Sequence, residues 1–138
     1  MNSGHVTKAV LLAAGKGTRM RELTNELPKP MIAVREMHQT INSASVKGSE
    51  PLVLKTSLHV GPCLAVNANE RLDFFGTTIN LAARMIGCCE GGDLAVSDEL
   101  FRRPETLAFV EACAAPPEPS EVHFRGFEKP HLVWRLVV

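Results

Sequence analysis

The sequence predicts a layered domain of helices packed on a sheet, α/β or α+β in class, because apolar runs of strand length alternate with segments of helical periodicity. Two observations carry this expectation. Apolar runs bounded by glycine or proline recur from "KAVLLAAG" near the start to "HLVWRLVV" at the end. Between them, "TTINLAARMIGCC" over residues 77–89 sets Ile79, Ala82, Ala83, Ile86 and Cys89 at helical spacing, a stripe expected to face the core. With 138 residues and 45% hydrophobic side chains, the chain can bury one sizeable core and is too short for two ordinary domains.

The elements follow in order. Residues 8–14 read as a buried strand, and Gly15 to Thr18 turn the chain. A helix begun at residues 18–23 must break at "PKP", because proline removes a donor and biases its predecessor away from helix. Residues 31–43 form a helix and 52–60 a strand, with Leu52, Leu54, Thr56 and Leu58 on one side and Val53, Lys55, Ser57 and His59 on the other. A short strand from residue 63 turns through "NANE" towards Phe74 and leads into the helix at 77–89. A strand follows at 94–97, then two short helices, one capped by Ser97-Asp98 and one begun by Pro104-Glu105. "AAPPEPSE" at 114–121 reads as a surface loop, and residues 122–127 with 131–138 as a terminal hairpin.

Charge and composition exclude several functions. Fifteen Lys plus Arg balance fifteen Asp plus Glu, so no net field attracts a nucleic acid. No stretch approaches the roughly 18 apolar residues of a membrane span, and no leader pattern opens the chain. Cys63, Cys88, Cys89 and Cys113 form no CxxC pair and read as reduced thiols of a cytoplasmic protein. His59 and His123 fall on strands with no metal spacing around them, Trp134 reads as packing of the last hairpin, and Phe74-Phe75 as packing before the helix.

The glycine loop "AAGKGTRM" poses a sharper question. A strand, two glycines and a helix start carrying Lys16 and Arg19 favour an anion through backbone N–H groups and positive charge. It is neither a P-loop, since Gly17 stands where Ser or Thr should hold a metal, nor a dinucleotide fingerprint, since Met20 occupies the third glycine position. A tight turn with solvated basic side chains accounts for the same residues.

"LAAGKGTRMRELTNELPKPMIAV", residues 12–34, resembles the N-terminal signature of the sugar-phosphate nucleotidyltransferases, the NDP-sugar pyrophosphorylases. Gly15, Gly17, Thr18, Arg19, Met20, Leu23, Thr24 and the run Pro28-Lys29-Pro30-Met31 fall in register, with Glu22 where that family has proline. The resemblance implies that Gly15, Gly17 and Thr18 belong to a loop that wraps a triphosphate. It further implies that Arg19 stabilises the pyrophosphate and that Lys29 contacts the phosphates of the sugar substrate. It ends near Val34, and the family's later metal-binding and sugar-binding patterns do not follow.

"LKTSLHVGPCLA", "RLDFFGTTINLAARM", "GGDLAVSDEL" and "FRGFEKPHLVWRL" resemble, in order, the second half of a class III adenylate/guanylate cyclase catalytic domain. That resemblance implies an α+β, ferredoxin-like fold with a mixed or antiparallel sheet of about five strands and helices mostly on one face. It assigns Asp73 to the purine base, Asn80 to the ribose and Arg84 to charge on the reacting phosphates. ATP or GTP is the implied ligand, Mg²⁺ or Mn²⁺ the implied cofactor and a homodimer the implied assembly. On a helical projection Asn80 and Arg84 share one stripe, with Leu81 and Met85 as a second apolar stripe expected to be exposed towards a partner.

The family's two metal-binding aspartates belong to the half that this sequence lacks, and "KAVLLAAG" carries no carboxylate. Asp73 and Asp93 are poor substitutes. The expectation is a single domain over residues 1–138, composed of a nucleotidyltransferase-like βα segment over 1–35 and a cyclase-like segment over 36–138. As a cyclase it should be catalytically impaired. The alternatives are a non-enzymatic folded chimera with weak phosphate binding and, below that, a fragment of a sugar-phosphate nucleotidyltransferase.

Overall fold

A computed structural model describes residues 29–44, 52–69 and 71–138. The expected strand at 8–14, the glycine loop and the helix start at 18–23 lie outside the described residues.

The first described element is helix α1, Lys29–Ser43. It takes in Lys29 and Pro30 as well as the expected span, because a proline in the first helical turn costs no hydrogen bond there. Met31, Val34 and His38, at helical spacing, are its buried residues. Strand β1, Lys55–Leu58, is shorter than the 52–60 expected. Leu52 and Val53, 63% and 62% exposed, stay outside the sheet. A Cβ on Gly91 would stand 2.3 Å from Val53 Cγ1, so Val53 crosses that turn where only glycine leaves room.

Strands β2, Leu64–Ala68, and β3, Arg71–Phe75, form a separate antiparallel hairpin. Helix α2, Thr77–Met85, tightens into a 3-10 turn at Ile86–Cys88, where Gly87 weakens the helix. Strand β4, Asp93–Ser97, is buried at every position. The short helix α3, Asp98–Phe101, and helix α4, Pro104–Glu111, follow as expected. Strands β5, Glu118–Val122, and β6, His131–Val137, close the chain.

Among the described residues the main sheet has four strands in the order β1-β4-β6-β5, with β1 and β4 parallel and the other pairs antiparallel. The mixed sheet and α+β class stand as expected, with four strands described in place of about five. β5 begins inside the proline-rich stretch read as loop. Among the described strands it lies at the sheet edge, so Pro119 gives up no hydrogen bond on its outer side.

Two cores flank the sheet. Met31, Val34, Leu94, Val96, Phe109 and Leu136 pack α1 and α4 on one face, with Leu100 and Phe101 of α3 against them. Leu81, Met85, Cys89, Ala95, Phe124 and Val133 pack α2 on the other. Alternation along β4 makes this possible, since Leu94 and Val96 point to the first core and Ala95 to the second.

The stripes of α2 are the reverse of the expectation. Leu81 and Met85 are buried, at 4% and 0% exposure, while Ala83 is exposed and Ile79 and Ile86 only half-buried. Counting apolar positions favoured the alanine-rich stripe. Cys89 is buried as expected, but ahead of it Leu81 and Met85 take the core side, because burying them removes more apolar area from water, and area sets the free energy. Leu81 and Met85 therefore belong to this chain's own core and offer nothing to a partner.

Trp134 packs as expected, its ring stacked on Phe101 at 4.0 Å and its Nε1–H donating to Asp98 Oδ1 at 2.9 Å. Asp98 also accepts from Arg102 Nε, and these bonds hold its carboxyl below the usual carboxylate range, Arg102 contributing most. His123 follows β5 and is exposed. Phe74 is half-buried, but Phe75 is 51% exposed and does not pack.

Candidate functional site

The junction between β3 and α2 builds the site. Gly76 links strand to helix at φ 132° and ψ 173°, a region open essentially to glycine alone. Its carbonyl accepts from the Asn80 N–H at 3.3 Å, so the helix begins directly at the strand end. Thr78 Oγ1 donates to the Pro62 carbonyl, which ties the first turn of α2 to the loop after β1. Gly61 is required there, because a Cβ would stand 2.7 Å from Thr78 Oγ1.

This junction presents Asp73, Asn80 and Arg84 to solvent, all three exposed. Asn80 and Arg84 lie one turn apart on α2, beside the buried Leu81 and Met85 that fix the helix. Ser57 Oγ adds a bond to the Ala82 carbonyl at 2.6 Å. Asp73 Oδ1 accepts from the Phe74 N–H at 2.9 Å, which leaves its second oxygen outward. The Arg84 guanidinium lies 6.0 Å from the Phe127 ring centroid, in the turn between β5 and β6. The Phe127 ring meets His131 edge-on at 5.2 Å. Phe127 was not legible as a site neighbour, because only the closing hairpin brings it to α2.

The remaining expected site residues lie elsewhere. Lys29 opens α1 on the opposite face of the sheet from α2, so the fold does not bring it to Asn80 and Arg84. Gly15, Gly17, Thr18 and Arg19 lie outside the described residues.

Asp93 is 1% exposed and serves the turn before β4. Its carboxylate accepts from the Glu90 N–H at 2.8 Å and the Gly91 N–H at 2.9 Å, and Arg135 stands 3.4 Å away. Arg135 also pairs with Glu90 and Glu118, and so ties β6 to the turn before β4 and to β5. His59 is held below the usual histidine range by burial, opposed by Glu99 at 4.0 Å. All four cysteines are free, and burial pushes the Cys89 thiol up to about 12.

The model of the adenylate and guanylate cyclase catalytic domain matches residues 21–129, and the chain belongs to that family. Two solved cyclases are similar in structure. The catalytic core of a rhodopsin-guanylyl cyclase with converted specificity, in complex with ATPalphaS, aligns with a TM-score of 0.54 and 16% identity over 80% of this chain. The adenylyl cyclase CyaB from P. aeruginosa aligns at 0.44 and 19% over 80%. The chain spans 59% and 53% of those two chains. It is also 63% identical over 27 residues to a UTP–glucose-1-phosphate uridylyltransferase of Synechocystis sp., a stretch covering 20% of this chain and 7% of that protein.

Class III cyclases imply Mg²⁺ or Mn²⁺. Among the described residues no group of three His, Cys, Asp or Glu side chains could hold a metal ion. Asp93 is committed to its turn, so the residues described do not fit a metal centre. Among the same residues no helix is long and apolar enough to cross a membrane.

Proposed function

We propose that this chain is a nucleotide-binding module of the class III cyclase type that keeps the groups facing the nucleotide and lacks the metal half of the site. The observation that carries this reading is the exposure of Asn80 and Arg84, one turn apart, on a helix whose adjacent stripe is locked in the core. In this reading the outward oxygen of Asp73 accepts from an N–H on a purine edge. The Asn80 amide spans the ribose hydroxyls. Arg84, steadied against Phe127, donates charge-assisted bonds to the phosphates. ATP and GTP are the ligands to test. Among the described residues no group of three His, Cys, Asp or Glu side chains could hold a metal ion, so in this reading the chain positions a nucleotide and turns it over poorly.

A homodimer fits the β2–β3 hairpin. The register pairs Leu64 with Phe75 and Val66 with Asp73, so one face carries Leu64, Val66 and Phe75 at 65%, 36% and 51% exposure beside the base-reading carboxylate. A second copy on this face would enclose the nucleotide. Free thiols at all four cysteines suit a cytoplasmic setting.

The short identity to a uridylyltransferase favours a second reading, a folded chimera without enzymatic activity that binds phosphate weakly through its N-terminal loop. Calorimetry with ATP and GTP separates the two. The first reading expects saturable binding that Arg84→Ala weakens by about tenfold or more. Equal binding by Arg84→Ala contradicts it.

A further inference from the structure

His59 leaves the end of β1 on the face of the sheet that α2 covers, because Ser57, two residues earlier, donates its hydroxyl to the Ala82 carbonyl of that helix. Its side chain is 9% exposed, and its Nδ1 is buried without a partner among the described residues. Ser97 Oγ, at the end of β4, is buried without one as well, so these two atoms do not satisfy each other. Two titratable groups act on the ring. Glu99 Oε2 of α3 stands 4.0 Å from Nδ1 on a side chain 60% exposed, and His131 of β6 adds like charge when it is protonated. The first turn of α2, Thr77 to Asn80, brings no charge.

The other nitrogen of the ring faces the loop after β1. A Cβ on Gly61 would stand 3.5 Å from His59 Nε2 and 2.7 Å from Thr78 Oγ1, so this glycine is wedged between the imidazole and the start of α2. Thr78 Oγ1 donates to the carbonyl of the next residue, Pro62. Residues 59–63 belong to neither described sheet, and Gly61 and Pro62 are exposed. A neutral ring suits this packing. An imidazolium in the same place is stripped of water, with the exposed Glu99 carboxylate as its counter-charge. Water reaches it at least cost by lifting the Gly61–Pro62 loop, since β1 and β4 are held by their ladder. That movement frees Thr78, which stands in the first turn of the helix that carries Asn80.

We propose that His59 is a positioning residue for the junction between β3 and α2, and that its protonation loosens the first turn of α2. The consequence for function rests on the nucleotide-binding reading, in which Asn80 meets the ribose. Acidification then weakens the grip on the nucleotide.

The test is amide hydrogen exchange, followed by NMR on the ligand-free full chain between pH 7.5 and pH 5, for the wild type, His59→Gln and Glu99→Gln. The Asn80 N–H donates to the Gly76 carbonyl and reports the first turn directly. With the intrinsic pH dependence of exchange divided out, its protection should fall several-fold on acidification, while the β4 amides lose clearly less. His59→Gln should hold the Asn80 protection constant over the same range. Glu99→Gln, a change at an exposed side chain, removes the charge that favours the imidazolium and should move the loss to lower pH, which keeps the test decisive even where His59→Gln does not fold. Constant Asn80 protection in the wild type, an equal loss throughout β4, or the same loss in His59→Gln overturns the proposal. No nucleotide enters the measurement, so a failure to bind ATP or GTP counts against the nucleotide-binding reading alone.

Discussion

The tripeptide Leu-Ala-Val occurs twice, at residues 64–66 in β2 and 94–96 in β4, with opposite fates. In β4 all three residues are completely buried, between β1 and β6 and under a core on each face. In β2, Leu64 is 65% exposed and Val66 36%, because among the described residues the hairpin pairs only with itself. Local composition sets the strand in both places. Neighbours decide burial, and an isolated two-stranded hairpin is marginal in water unless something covers it. The division assigns stability to β4 and its two cores, and leaves the hairpin and the α2 surface that follows it exposed for the nucleotide recognition proposed above.

The largest expected effect breaks the pair directly. Leu94→Ala should cost about 3 kcal/mol or more in chemical denaturation, whereas Leu64→Ala should stay within about 0.5 kcal/mol. Similar losses at the two leucines would mean that the hairpin is covered within the chain. On α2 the same contrast holds at shorter range. Met85→Ala should cost about 2 kcal/mol or more, and Ile79→Ala clearly less, by the same measurement. The reverse order would restore the alanine-rich stripe as the core face.

The smallest effect comes from pH. Burial holds His38 and His59 below the usual histidine range, so the folded state disfavours their cations. In the unfolded chain they take up protons near pH 6.5. Stability should be fully present above about pH 6.5 and decline as the pH falls from there towards the folded values, because the unfolded state then binds more protons. Thermal melts between pH 7.5 and pH 5 should show this decline, and His59→Gln should flatten it. A melting temperature that rises on acidification would contradict the assignment.

Much of the fold was legible in the sequence because strands and helices here follow local pattern. The α2 segment, β4 with its following helix and the final strand stand close to where periodicity puts them. Two features escaped. The orientation of α2 depends on which stripe has the larger side chains opposite it, and that is set by Ala95, Phe124 and Val133 from distant segments. β5 hid in a proline-rich stretch because an edge strand tolerates what a central strand forbids. For the proposed site, the placement of Asn80 and Arg84 one turn apart on α2 was legible from their spacing. Their steadying neighbours were not, since Phe127 reaches Arg84 only through the closing turn, where Gly126 has φ 88°.

A chain that keeps nucleotide-facing groups and lacks the metal half of the site, as proposed, should bind ATP or GTP without cyclising it. Incubation of the purified chain with ATP or GTP and Mn²⁺ or Mg²⁺, with detection of the cyclic product, tests it most directly. The expected result is no more product than an Arg84→Ala control yields, from a chain that still binds the nucleotide. Cyclic product well above that control would contradict it.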